Sequence, residues 1–122
     1  MTGPQTRLVN LLPHDLVVMN GASFVLASSG HVARVEQHVI DDMLLHLPGA
    51  VLPLATVQYG AVSALPPQQP GVLFVVSRTV AAVVSRPDLV FPDMEIRDEN
   101  RRIVGCRRLA RFAVGDNGRG NK

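Results

Sequence analysis

Turn chemistry is the strongest constraint on this chain. Ten glycines and nine prolines punctuate its 122 residues, and most of them fall between apolar runs. Glycine accepts positive φ without a Cβ penalty, and proline fixes φ while removing a backbone donor, so the intervening runs are short elements. Residues 7–12 and 15–19 are apolar, with Pro13-His14 between them. Asn20-Gly21 is a two-residue hairpin signal, because both residues tolerate positive φ. Residues 23–27 form the expected return strand, Ser28-Ser29-Gly30 the next turn, and residues 31–36 a weakly alternating strand. That order predicts an antiparallel meander rather than a βαβ unit.

Between residues 37 and 47 the period changes. Val39, Ile40, Met43, Leu44 and Leu47 recur at spacings near three and four, which predicts a short amphipathic helix. The high Val and Ile content keeps continuous β-structure as the rival. Pro48-Gly49 ends the segment. Residues 50–57 and 58–65 have strand character, and Gly60 marks a bulge or a close backbone approach. Residues 66–71 are a stiff Pro-rich loop. Residues 72–76 are consecutively apolar and bounded by turn chemistry, the pattern of a central buried strand. Ser77 then caps a short helix over residues 78–85. Residues 94–98 and 102–107 form another hairpin around Glu99-Asn100-Arg101, and residues 115–122 a flexible tail. The expected fold is α+β, mainly antiparallel β hairpins with one or two short helices, in a single compact domain over residues 1–114.

Apolar residues supply 47% of the chain and charged residues 18%, which suits a packed core and argues against disorder over most of the length. The lone Cys106 excludes an internal disulfide framework. No run of about 18 apolar residues exists. Residues 1–6 lack the apolar core of a signal peptide. A soluble, cytoplasmic protein with no membrane partner is therefore expected. Charge is uneven along the chain. Residues 1–96 hold four Arg against seven acids, whereas residues 97–122 hold seven Arg and Lys122 against three acids.

Few residues suggest chemistry. His38, Asp42 and His46 would form one stripe on a helix, but the outer two would lie about 12 Å apart at 1.5 Å per residue. One Zn²⁺ cannot take all three, so the stripe is a solvated face and no metal is expected. His14, constrained by Pro13, has the position to donate to a phosphate or act as a base; fixing the corner through a backbone hydrogen bond is the plainer role. Arg107 and Arg108 would lower the pKa of a thiol at Cys106, yet alternation places Cys106 with Val104 as a small buried hydrophobe. Nucleophile elbow and phosphate loop are both missing, so neither enzyme activity nor a cofactor is expected.

The Arg-rich segment is the remaining feature. Arg97, Arg101, Arg102, Arg107, Arg108 and Arg111 crowd one hairpin and its exit. Residues of matching parity share a hairpin face, and converging guanidiniums beside Asp98 suit a phosphate and a ribose hydroxyl. A solvated Arg–acid network is the alternative. Extended nucleic acid is disfavoured by the scarcity of aromatics and the small net charge.

Several fragments resemble a family of small phage and prophage proteins: Asn10-Leu11-Leu12-Pro13-His14, Gly30-His31-Val32-Ala33-Arg34-Val35, Tyr59-Gly60, Leu65-Pro66, Val75-Val76-Ser77, Arg97-Asp98-Glu99-Asn100 and Gly105-Cys106-Arg107. Arg101-Arg102 departs from the Gly-Arg that this pattern carries after the turn. In size and scattered Arg the chain is also similar to the Thoeris anti-defence sponges, small oligomers that sequester a cyclic ADP-ribose-type signal. The resemblance implies a non-enzymatic homo-oligomer that binds a phosphorylated nucleotide. Arg34, Arg107 and Arg108 would then be phosphate donors, Asp98 the ribose-facing acid, and Tyr59 or Phe112 the adenine platform. The alternative is a virion-associated or other structural, protein-interaction module without a small ligand. High Val and Leu content and exposed strand edges motivate it.

Overall fold

Short apolar runs become strands over most of the chain. The computed structural model describes residues 5–114, apart from the side chains of residues 41 and 42. The tail expected at residues 115–122, and Asp42 of the histidine stripe, therefore lie outside the described residues. The strands are β1 (Arg7–Asn10), β2 (Leu16–Asn20), β3 (Ala22–Leu26), β4 (Arg34–Leu47), β5 (Ala50–Ser63), β6 (Val72–Val75), β7 (Leu89–Arg97) and β8 (Ile103–Ala110). One helix, α1 (Arg78–Val83), lies between β6 and β7.

Six strands form one sheet in the order β1-β6-β7-β8-β2-β3. A parallel bridge from Asn10 to Ser28, just past β3, brings the two edges together and nearly closes the sheet into a barrel. The β2–β3 and β7–β8 hairpins are antiparallel as expected, and β4–β5 is a further antiparallel pair. The meander is not. β1–β6, β6–β7 and β8–β2 pair in parallel, and α1 carries the chain across from β6 to β7. The physical reason lies in β6 and the start of β7. Phe74, Val75, Leu89, Val90 and Phe91 are all buried, and strands covered on both faces belong to parallel sheets.

Alternation along these strands divides the core in two. Val75, Val90, Leu16, Val18 and Cys106 converge with Leu12 to fill the barrel interior. Phe74, Leu89 and Phe91 point the other way, onto Val80 and Ala81 of α1 and onto Leu11 and Ala33. Ser77 caps α1 as expected, its Oγ accepting from the Val80 N–H at 3.2 Å. Cys106 is fully buried, and burial pushes its thiol pKa up, away from nucleophilic character.

The barrel seam is stapled by Asn10, which is 1% exposed. Its Nδ2 donates to the carbonyls of His14 (3.1 Å) and Leu26 (2.9 Å), and its Oδ1 accepts from the Leu12 N–H (2.8 Å). Ser28 adds Oγ–H donation to the Leu12 carbonyl. Elsewhere Arg86 forks onto the buried carboxylate of Asp88 and donates to the Pro66 carbonyl.

The helix expected over residues 37–47 is instead strand β4, hydrogen-bonded to β5 along the length of both. Apolar residues stand on both faces of this ribbon, so a spacing of three and four arises without a helix. Pro48 and Gly49 (φ 81) form the tip, in the positions of a type II turn. Gly60 sits where the register slips between the Val35 and Gln37 pairings. A Cβ there would meet Glu36 Oε1 at 2.9 Å, so this residue is both bulge and close approach.

Candidate functional site

Two features stand out from the barrel: a long apolar arm and a cleft of mixed charge. The arm is the β4–β5 hairpin, a separate two-stranded sheet with 14 residues in each strand. At about 3.3 Å per residue it reaches roughly 40 Å from root to tip. Val35 and Val62 anchor the root against the core. Beyond them, eleven large apolar side chains are between 37% and 59% exposed. β5 carries no charged residue, so Pro53 and the bulge at Gly60 are what guard its open edge against strand pairing. Divided between the two faces of the ribbon, these eleven side chains present on the order of 1000 Å² of apolar surface, about 500 Å² per face, where a contiguous patch above a few hundred Å² marks an interaction site.

The cleft, of about 500 Å³, lies where β7 and β8 face the β1–β2 corner, with Leu12, Leu16 and Ile103 among its apolar walls. His14, Ser77, Arg78, Asp93 and Glu95 are its polar lining. His14 Nδ1 donates to the Asp15 carbonyl at 2.9 Å, the corner-fixing contact expected of it. The Arg78 guanidinium lies over Phe91 and Phe112, 5.0 and 5.4 Å from the two ring centroids, a cation–π arrangement. Asp93 accepts from Arg108 Nε at 2.7 Å. That bond, opposed by partial desolvation, holds the Asp93 carboxyl below its ordinary pKa. Met94 between these acids has φ 55, a left-handed conformation rare for a side-chain-bearing residue in a strand.

The six residues singled out for nucleotide binding do not meet at one point of a single chain. Arg34 and Tyr59 belong to the arm, Arg34 at its root opposite Ser63 and Tyr59 farther out opposite Gln37. Asp98 is engaged by the β7–β8 turn, its Oδ1 accepting from the Asn100 and Arg102 N–H groups. Phe112 stacks on Phe91 at 4.9 Å, about 20 Å along the hairpin from Asp98. Arg107 and Arg108 alternate to opposite faces of β8; both are exposed, and among the described residues only Arg108 of the two pairs with an acid. Arg97–Glu95 and Arg108–Asp93 are the Arg–acid network weighed as the alternative.

Sequence reasoning missed Arg78 and Asp93, which fell outside every motif and acquire a setting only when β7 pairs with β8. Among the described residues no three His, Cys, Asp or Glu side chains gather within metal-binding reach. No helix among them is long and apolar enough to cross a membrane. No protein family, curated protein or solved structure was found to match the chain.

Proposed function

We propose that this protein is a non-enzymatic structural module that assembles with copies of itself through the β4–β5 arm. The observation that carries this is the ribbon's exposed apolar surface. An isolated two-stranded hairpin is marginally stable in water, and a contiguous apolar patch above a few hundred Å² marks an interaction site. A second copy is the partner whose surface is already matched in chemistry and available at equal concentration. Nucleotide sequestration ranks behind it, because the residues it requires are distributed over two separate hairpins.

Sedimentation velocity over a concentration series tests the proposal. The intact chain is expected to run as an oligomer at micromolar concentration. A chain in which residues 39–57 are replaced by Asn-Gly keeps the His38–Gln58 pair and is expected to run as a folded monomer. An intact chain that stays monomeric throughout the series overturns the proposal.

A further inference from the structure

Register fixes which side chains share a face of the arm. Side chains alternate along each strand, and directly paired residues stand on the same side. The Leu47–Ala50, Leu45–Leu52 and Met43–Leu54 pairs lie on one face, with the polar His38–Gln58 pair nearer the root. The His46–Val51 and Leu44–Pro53 pairs lie on the other. Ile40 is an extra residue in β4, and such a bulge shifts the alternation. Val39–Val57 and Gln37–Tyr59 therefore continue the second face toward the root. Four leucines and a methionine thus mark the first face, and Val39, Leu44, Val51, Val57 and Tyr59 the second. All ten are between 37% and 59% exposed, so the barrel covers neither face.

Area decides how many neighbours such a ribbon needs. One face offers about 500 Å², where a stable interface covers about 800 Å² per partner. A dimer joined through one face is small for a lasting contact, and it leaves the other face, equally apolar, in water. Both faces together bring about 1000 Å² per copy under cover, which passes that mark. Covering both requires a neighbour on each side.

We infer that each arm packs between the arms of two other copies, one on each face, so that the assembly holds at least three chains. This rests on the arm-mediated assembly proposed above. An open stack leaves its two outermost faces bare, so full cover is reached when the copies close into a ring or continue as a filament. Packed sheets lie about 10 Å apart, whereas a folded unit of about 80 residues is about 30 Å across. Neighbouring arms therefore run in opposite directions and overlap along their outer halves, with the barrels at opposite ends.

Leu45→Asp and Leu44→Asp test it, because adjacent residues of β4 point to opposite faces and each carboxylate blocks one face at an exposed position. Leu52→Asp and Val51→Asp repeat the pair from β5. Sedimentation velocity over a concentration series is expected to show three or more copies for the intact chain. Each single variant is expected to fall to dimers that dissociate on dilution, with the concentration needed for assembly raised at least tenfold. The combined variant is expected to stay monomeric, with the barrel still folded by circular dichroism. An intact chain that stops at a dimer overturns the inference but leaves arm-mediated assembly standing. A single variant that keeps the intact chain's size does the same, because the blocked face is then unused. So does one that is monomeric throughout, because the remaining face then holds no neighbour. An intact chain that sediments as a monomer overturns both.

Discussion

Replacing Asn10 is the sharpest test of how the barrel is closed. Asn10→Ala removes two donated bonds and one accepted bond at a residue that is 1% exposed. It strands the buried Leu12 N–H and removes the donor from the part-buried carbonyls of His14 and Leu26. At about 1 kcal/mol net for each bond, with an added penalty for buried groups left unpaired, the loss is about 2–4 kcal/mol. Asn10→Asp sharpens the test. The new carboxylate still accepts from Leu12 but turns oxygen lone pairs toward two carbonyls, so its ionised form is disfavoured in the folded state. Its folded pKa is thereby raised, and its cost is greatest near neutrality and shrinks as pH falls and the acid regains a donor. Urea unfolding at one fixed protein concentration measures both variants. A loss below about 1 kcal/mol for Asn10→Ala, or Asn10→Asp matching the native chain at neutral pH, would refute the seam argument.

Arg101 holds φ 65 in the β7–β8 turn, a left-handed conformation that favours glycine. Arg101→Gly is expected to stabilise the chain by about 0.5–1 kcal/mol after glycine's own entropy cost, and a lower urea midpoint would contradict this. Arg108→Gln removes the main cause of the lowered Asp93 pKa. A depressed carboxylate stabilises the fold above its unfolded pKa and loses that contribution as pH falls through the folded value. The native chain should therefore exceed Arg108→Gln in stability near pH 6 and converge with it in strong acid; a pH-independent gap would contradict the assignment.

Local chemistry was legible in the sequence, and long-range pairing was not. Ser77 as a helix cap, residues 72–76 as a buried strand and Cys106 as a core residue each followed from neighbours in the chain. Gly60 followed likewise, because a glycine inside a strand has few other uses. The parallel pairing of residues 7–10 with 72–75 has no local signature, since either partner would satisfy the same backbone groups. Residues 37–47 misled for a different reason. Helix periodicity is informative when one face is polar, and a ribbon apolar on both faces satisfies either period. The cleft was illegible because His14, Arg78 and Ile103 are far apart in the chain and meet only after β8 returns along β7.

The arm also sets an order of events in a newly made chain. Its two strands are neighbours in sequence, joined by Pro48-Gly49, and local hairpins form in about 1–10 μs. Barrel closure needs β1 to find β6 some sixty residues later, a slow non-local step. Translation adds about 5–20 residues per second, so the hairpin emerges from the ribosome and closes before β6 has emerged. Each nascent chain thus displays its stickiest surface while its barrel is still open. Neighbouring ribosomes on one message would bring such hairpins together early, so the proposed arm-mediated assembly could begin before any single subunit is finished.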